Sequence, residues 1–210
     1  SAGTALIILL GASSPYALPI GAFLGAGGAV FMVYRFAWLD GEASTYRLIL
    51  AGVALSAFFS AITTFLIFLS GPYEQNRILI WIMGGLSRAN WSFVKVILPV
   101  NLIGIGLVWF WGRDLNALSL GEGQASHLGI RPETVKKFLL TVTTLLVSTS
   151  VAVAGSIGFI GLIIPHILRL ILGPDHKKLL VASALAGGSF LLLTDMGART
   201  IMQPTELPVG

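Results

Sequence analysis

The residues best suited to chemistry lie in the segment Gly155–Leu180, GSIGFIGLIIPHILRLILGPDHKKLL. It begins as sequence apolar enough for lipid, but Pro165, His166 and Arg169 interrupt the run, and the charged group 173–178 ends it. An imidazole inside a membrane can act as a proton relay, which is one hypothesis for His166. The simpler interpretation, which we favour, is that the proline kinks the helix and the imidazole bonds a nearby backbone carbonyl.

Enzymatic chemistry has little support elsewhere in the chain. The motifs HExxH, GxSxG and GxxxxGK[ST] do not occur, and Asp195 is the only carboxylate inside a predicted span. There is no cysteine, and His127, His166 and His176 lie in separate segments without metal-ligand spacing. We therefore predict no catalytic residue, no metal site and no cofactor, and we expect no nucleic-acid partner.

The elements that must carry these residues are membrane-spanning helices. The 210 residues are 55% hydrophobic and only 10% charged, with a mean hydropathy of +0.89, whereas soluble domains carry about 25% charged residues. A bilayer core needs about 20 mostly apolar residues per helix. We predict an all-α, polytopic transmembrane helical bundle that forms one domain over residues 1–210. The predicted full spans are Ala17–Phe36, Arg47–Leu69, Ser92–Trp111, Phe138–Ala154, Ile157–Leu172 and Leu179–Ala198.

Shorter apolar pieces complete this pattern. Ser1–Leu10 is about half a span, and the final PTELPVG stops where another helix could begin, so we expect a domain truncated at both ends. Ile78–Met83 is too short to cross a bilayer and is followed by two glycines. It predicts a short helix or re-entrant piece at an interface, with Trp81 and Trp91 as interfacial belt residues.

The orientation follows from the basic residues. We place the link Gly112–Lys137, the most polar part of the chain, on the cytoplasmic side and alternate outward from it. The inside then holds nine basic residues and the outside four. This orientation agrees with the excess of lysine and arginine in the cytoplasmic loops of membrane proteins. The inside residues are Arg35, Arg47, Arg113, Arg131, Lys136, Lys137, Arg169, Lys177 and Lys178, and the outside residues are Arg77, Arg88, Lys95 and Arg199. Arg169 is then close enough to the inner surface to snorkel.

Small residues recur at spacings of three and four, as they do where membrane helices pack closely. The sets are Gly21 with Gly25, Gly52 with Ser56 and Ser60, and Gly155 with Gly158 and Gly161. We predict tight packing within the subunit for most of them. An alternative for one helix is a polar pathway faced by Ser56, Ser60, Thr63 and Thr64.

The link itself is longer than a simple connection needs. Its sequence LNALSLGEGQASHLGIRPETVKK, Leu115–Lys137, can form an apolar face from Leu118, Leu120, Ala125, Leu128 and Ile130. Gly121, Gly123 and Gly129 allow sharp bends between short helical pieces. Such an element can dock into a groove of a soluble partner, or it can lie on the membrane surface as an amphipathic loop. The residues alone leave these two interpretations open.

The chain as a whole resembles a known family, the FecCD-type permease subunits of binding-protein-dependent ABC importers for ferric siderophores, haem and cobalamin. LNALSLGEGQASHLGI is similar to the family's cytoplasmic coupling loop, and the matching residues are Leu120, Gly121, Glu122, Ala125, Leu128 and Gly129. The segment from Gly155 to Arg199, and ELPVG after it, resemble the C-terminal signature of the family. YRLILAGVALSAFFSA and WIMGGL match earlier family segments.

The resemblance implies a fold and a set of partners. The family fold has ten transmembrane helices, of which this chain would lack the first two, part of the third and the last. The family works as a permease dimer, of two identical chains or close paralogues, in the cytoplasmic (inner) membrane of prokaryotes. Two ATP-binding cassette ATPase subunits hydrolyse ATP, and an extracytoplasmic substrate-binding protein delivers the cargo. The permease itself is then not an enzyme.

Three groups of residues take roles from the resemblance. The six coupling-loop residues 120–129 would contact the ATPase. Arg199 would meet an acidic residue of the binding protein, although an arginine at a helix end can also simply be solvated. Ser44, Thr45 and Tyr46 fall where the family places its cytoplasmic gate, and Tyr46 is bulkier than the small residue expected there.

Two other classes of function remain as alternatives. A secondary transporter or channel driven by an ion gradient would need membrane-embedded carboxylates or lysines, which the spans almost lack. It would also leave the coupling-like link without a purpose. An intramembrane enzyme would need a catalytic constellation, which the sequence does not provide.

Overall fold

The described part of the chain is helical throughout and contains no strand. The computed structural model describes residues 2–11, 16–37, 45–87, 89–201 and 208–209, with the side chains of Ala37 and Thr45 left out. The helices found there are α1 (Ala2–Leu9), α2 (Ala17–Ala37), α3 (Thr45–Leu69), α4 (Pro72–Ile82), α5 (Trp91–Phe110), α6 (Gly112–Leu118), α7 (Glu122–His127), α8 (Pro132–Ala154), α9 (Ile160–Leu172) and α10 (His176–Ile201).

Five of these helices are long and apolar enough to cross a membrane, each with 20 residues or more. They are α2, α3, α5, α8 and α10, and a rise of 1.5 Å per residue makes each about 30 Å long or longer. The five corresponding predictions are confirmed. Two helices begin well before their predicted starts at Phe138 and Leu179, because Pro132 opens α8 at its first turn and Asp175 caps the start of α10.

The predicted span Ile157–Leu172 is wrong as a full crossing. The helix α9 begins at Ile160 and has 13 residues, which is about 20 Å against a hydrocarbon core of about 30 Å. The three residues before it do not join the helix, because Phe159 adopts a left-handed φ of +63° and interrupts the helical path. Gly155, at φ +73°, has already ended α8.

The short helix predicted after α3 is confirmed, but it is longer than expected and one of its tryptophans is misassigned. Here α4 runs from Pro72 to Ile82. Trp81 is 5% exposed and packs with Ala22 and Ala152, so it belongs to the core and is not an interfacial belt residue. Trp91 is 79% exposed at the start of α5, as the belt prediction for that residue requires.

Close packing confirms one glycine pair and not the others. A Cβ on Gly25 would lie 3.2 Å from Cα of Gly3, so α1 and α2 touch backbone to backbone. Gly52 has no atom within 4 Å of such a Cβ, and it lines a cavity together with Ser56 and Ser60. Of the third set, only Gly155 is tightly enclosed, by Trp81 and Gly84.

Two hydrogen bonds join the end of α4 to the end of α8. The amide of Gly85, just after α4, donates to the carbonyl of Ala154 at 2.7 Å. The Ser156 hydroxyl donates to the Ile82 carbonyl, also at 2.7 Å. A side chain on Gly155 would collide with the Trp81 carbonyl, 2.6 Å from the built Cβ. Glycine is therefore required where these two helix ends meet.

The long helices bury little of their apolar surface within the chain. Only 6% of the spanning window of α3 and of α10 is buried, and Phe68 on α3 is about four-fifths exposed, as is Leu170 on the shorter helix α9. Such surface is stable only against lipid or against other helices. The chain is therefore a multi-pass membrane protein with extensive faces for lipid or protein contact.

Candidate functional site

The link between α5 and α8 folds into two short helices joined by glycine turns. α6 follows α5 directly, and Gly121, with φ +109°, precedes α7. Gly129, with φ +81°, ends the second turn, and its neighbour Ile130 donates to the carbonyl of Ala125 at 3.1 Å. These two glycine bends are confirmed, whereas Gly123 lies inside α7 and makes no bend.

The predicted apolar face of this link divides into two sides. Ala125 is completely buried and holds α7 against the bundle, and Leu118 and Ile130 are half-buried. Leu120 and Leu128 are 61% and 65% exposed. A single apolar face on the membrane surface would turn these residues the same way, so the segment instead presents two leucines outward from an anchored alanine.

An ion pair attaches the start of α7 to α8. Nζ of Lys136 lies 2.7 Å from Oε1 of Glu122 and 3.4 Å from Oε1 of Glu133. The lysine side chain is 15% exposed and the Glu122 side chain 51%. One oxygen of Glu122 is therefore available to a partner while the residue is held in place. Gly121 and Gly129, on either side, are exposed.

A second attachment, which the sequence did not predict, joins α6 to the start of α10. The Asn116 amide donates to Oδ1 of Asp175 at 2.9 Å. Its oxygen accepts from the His176 backbone amide at 2.8 Å and lies 2.7 Å from Nδ1 of the same histidine. Asp175 also accepts the Lys177 amide at 3.1 Å, as a helix cap does. The only signal in the sequence is the Asp-His pair after the Gly-Pro break.

These hydrogen bonds stabilise the ionised form of Asp175. The Asn116 side chain, and after it the Lys177 backbone amide, lower the pKa of the Asp175 carboxyl below its ordinary value of 3.8. The neighbouring positive charges of Lys178 and His176 act in the same direction. Asp175 is therefore a carboxylate at neutral pH.

The surroundings of His166 do not match the interpretation favoured from the sequence. His166 is exposed on α9, and the described residues provide no hydrogen bond to its imidazole, so the predicted bond to a backbone carbonyl is wrong. Arg169, one turn later, lies with Nη2 3.3 Å from Nε2 of His176. The α9–α10 turn thus ends in the same polar group that holds Asn116.

Arg199 lies at the far end of α10, within its last turn, because the helix continues to Ile201, past the predicted end of the span at Ala198. Its Nε lies 2.8 Å from Oδ2 of Asp195, one turn earlier. The arginine side chain is 43% exposed and the aspartate 13%. Because the bond uses Nε, the two terminal nitrogens of the guanidinium can still bind a second carboxylate.

The predicted gate is only partly visible. Ser44 lies outside the described residues, and Thr45 begins α3 with its side chain undescribed. Tyr46 is 74% exposed. Tyr46 is therefore the only one of the three with a described side chain, and the structure describes no gate contact for it.

A cavity of about 620 Å³ lies between α1, α2, α3 and α4. Its wall on α3 includes all four hydroxyl residues that could face a pathway, Ser56, Ser60, Thr63 and Thr64. The hydroxyls of Thr63 and Thr64 donate to the carbonyls of Phe59 and Ser60, at 2.7 and 3.1 Å. The donors of these two threonines are therefore satisfied within the helix, and the rest of the described lining is apolar apart from the two serines.

Comparison with known proteins gives consistent matches along the chain. The model of the FecCD transport family matches residues 1–210. The cobalamin import system permease protein BtuC of Halobacterium salinarum is 40% identical over 214 residues, which cover 100% of this chain and 57% of that protein. The hemin transport system permease protein HmuU of Yersinia pestis is 36% identical, with 100% and 65% covered. The Fe(3+) dicitrate transport system permease protein FecD of Escherichia coli is also 36% identical, with 100% and 64% covered.

A solved structure has the same fold. It is a metal-chelate type ABC transporter in an inward-facing conformation, with a TM-score of 0.91 and 32% identity over 99% of this chain and 66% of that one. The chain spans about three-fifths of the length of the curated relatives that it matches.

Proposed function

The chain belongs to the FecCD transport family, and from that premise we propose that it is part of the membrane-spanning subunit of an ATP-driven importer. The cargo is an iron chelate, either a siderophore complex or haem, or it is cobalamin. The membrane is the cytoplasmic membrane of a prokaryote. The relatives are named as import or transport permeases for cobalamin, hemin and Fe(3+) dicitrate, and this supports the cargo class.

The observation that carries the proposal is the outward presentation of the α6–α7 segment. Leu120 and Leu128 are exposed on either side of the buried Ala125, and Glu122 keeps half of its surface accessible. Two exposed apolar side chains beside a fixed carboxylate are better suited to contact with a groove in a soluble protein than to exposure to water. Their partner is an ATP-binding cassette ATPase, contacted by Leu120, Gly121, Glu122, Leu128 and Gly129, while the buried Ala125 holds α7 in place beneath them.

The remaining partners follow from the same premise. Two copies of the permease, or this chain and a close paralogue, pair in the bilayer over faces that the single chain leaves exposed. An extracytoplasmic binding protein docks at the end of α10, where the Arg199 guanidinium receives one of its carboxylates. Ser44, Thr45 and Tyr46 gate the inner end of the pathway.

The cavity against α3 supports a position for that pathway. An importer needs a passage that binds its cargo weakly, so that delivery to the other side is not slowed. A wall of serine and threonine hydroxyls and apolar side chains, with no charged residue among the described ones that line it, meets this need. The small side chains of Ser56 and Ser60, and the missing side chain of Gly52, then leave room for the passage.

A gradient-driven transporter is the alternative, and one ion pair argues against it. Such a protein needs a carboxylate or lysine in the membrane that binds and releases an ion. Asp195 is the only carboxylate in the predicted spans, and Arg199 already neutralises it at 2.8 Å. A paired aspartate near a helix end is a poor ion-coupling site.

The experiment that tests the proposal measures ATP hydrolysis with the full-length protein in liposomes, together with its ATPase and binding protein. Wild type is compared with Glu122→Lys, which places a second cation beside Lys136. We expect hydrolysis to depend on the permease and to lose that dependence in the variant. Hydrolysis that ignores the permease would overturn the proposal, and a fully active variant would remove Glu122 from the ATPase contact.

A further inference from the structure

The joint between α6 and α10 depends on one side chain. The Asn116 side chain bonds across the joint to Asp175 and to the backbone and ring of His176, at 2.7 to 2.9 Å. Its amide is used as a donor and its oxygen as an acceptor, so both halves of the group have a role. One of the bonds is to a carboxylate, and charge-assisted bonds of this kind are the stronger ones.

Close packing of Lys177 beside Asn116 also holds α10 against α5 and α6. Nζ of Lys177 lies 4.6 Å from the ring centroid of Trp109, near the end of α5. The Lys177 stem covers Gly112, where a Cβ would lie 2.6 Å from Lys177 Cγ. The first turn of α10 is therefore pressed against the α5–α6 corner, and a shift of either element displaces the other.

α10 connects this joint to the opposite end of the bundle. It is a single helix of 26 residues, which makes it about 39 Å long. Its first residue bonds to Asn116, and its last two turns contain the Asp195–Arg199 pair. The α6–α7 segment and Arg199 thus lie at the two ends of one continuous element.

We propose that α10 transmits conformational change between the ATPase side and the binding-protein side, and that Asn116 is the positioning residue that locks the α6–α7 segment to it. The inference rests on the proposed function, because it requires an ATPase at α6–α7 and a binding protein at Arg199. Asn116 touches neither partner in this scheme. It acts by making the segment and α10 move as one body.

Coupling of this kind is reciprocal, and this makes it measurable at equilibrium. If nucleotide in the ATPase changes the affinity for the binding protein, the binding protein changes the affinity for nucleotide by the same factor. Breaking the joint must reduce that factor. A residue that only stabilises the fold would lower the amount of assembled protein and leave the factor unchanged.

Exchanging the two side chains provides a sharp test. In Asn116→Asp, two carboxylates face each other across the joint. Adding Asp175→Asn restores complementarity, because the new asparagine amide can donate to the new aspartate. Asparagine also serves as a helix cap, and the aspartate oxygens can still accept from His176. Asn116→Ala removes the bonds without adding a charge and serves as a second variant.

The experiment measures the Kd of the binding protein for the assembled transporter in nanodiscs, with and without a non-hydrolysable ATP analogue. For wild type we expect the two Kd values to differ by about 5–150-fold. The ratio should fall toward one in Asn116→Asp and Asn116→Ala, and should return in the exchanged pair. Asn101→Ala is the matched control, because the Asn101 amide bonds the Ile97 carbonyl of its own helix, and its ratio should stay that of wild type.

Each outcome separates the inference from the proposed function. If wild type binds no ATPase or no binding protein, the proposed function fails. If wild type shows the ratio and assembled Asn116→Ala keeps it, the inference fails while the proposed function stands. If Asn116→Asp lowers the ratio and the exchanged pair does not restore it, pairing between Asn116 and Asp175 is not the lock.

Discussion

Nζ of Lys136 on α8 lies 2.7 Å from Oε1 of Glu122, the first residue of α7. This ion pair fixes the start of the exposed helix α7 to a membrane-spanning helix. The pair involves α7, whereas the Asn116–Asp175 joint involves α6. The two contacts together attach α6–α7 to α8 and to α10. Motion of the segment can therefore be passed to two spanning helices.

The Glu122–Lys136 pair should matter little for stability. Glu122 is half exposed, and exposed ion pairs contribute about 0–1 kcal/mol. We expect Glu122→Gln to lower the free energy of unfolding by less than about 1 kcal/mol, measured by denaturant unfolding in detergent. Glu133→Gln, which removes the other carboxylate from Lys136, is the matched control. A loss several times larger for Glu122→Gln alone would show that the pair is structural.

The Asp175 joint should weaken in acid. Its carboxyl has a pKa below 3.8 in the folded protein, so its contribution to stability is complete well above that value and is lost as the pH falls through the lowered pKa. We expect the difference in Tm between wild type and Asp175→Asn to be constant near neutrality and to shrink below about pH 4. Asn101→Ala, which removes a hydrogen bond within α5 and no ionisable group, is the control, and its difference in Tm should not converge in this range. A difference that grows in acid would reverse the sign and contradict the assignment.

The α1–α2 contact should not tolerate a methyl group at Gly3. A Cβ there would meet the Gly21 carbonyl and lie 3.1 Å from Cα of Gly25, and backbone atoms cannot move aside cheaply. We expect Gly3→Ala to lower stability by about 1–3 kcal/mol, as overpacking does. Gly28→Ala on α2 is the control, because nothing lies within 4 Å of that position. Equal melting temperatures for the two variants would show that α1 is not packed as described.

Arg199 should determine binding-protein affinity through its terminal nitrogens. Removing a hydrogen bond to a charged group costs about 1.5–3 kcal/mol, and so we expect Arg199→Glu to raise the Kd of the binding protein at least about tenfold. Arg199→Lys should recover only part of this, because a single ammonium cannot form the paired bonds. Arg77→Glu is the control, on the short helix α4, where the arginine lies over the Tyr73 ring. An unchanged Kd in Arg199→Glu would leave this arginine as a solvated helix end.

Sequence reasoning reached the elements set by composition and failed where tertiary contacts decide. Hydropathy located the long helices, because about 20 apolar residues have one stable arrangement in lipid. It could not show that Phe159 takes a positive φ and shortens α9, nor that Trp81 is enclosed by Ala22 and Ala152.

The candidate site divides in the same way. The glycines at 121 and 129 marked the bends of the link, because a left-handed residue after a short helix favours glycine. Asn116 carried no such signal, since its partners lie about 60 residues later in the chain. The exposure of Leu120 and Leu128 also required the structure, because an apolar pattern does not tell which side meets a partner.

The most direct test of the central claim is uptake into proteoliposomes that contain the full-length protein, its ATPase and its binding protein. Labelled cobalamin, a ferric siderophore and hemin are offered in turn, with ATP on the ATPase side and with ionophores that collapse proton and sodium gradients. The account predicts that at least one cargo accumulates, that uptake requires ATP, and that the ionophores do not reduce it. Uptake that proceeds without ATP and stops when a gradient is collapsed would contradict it.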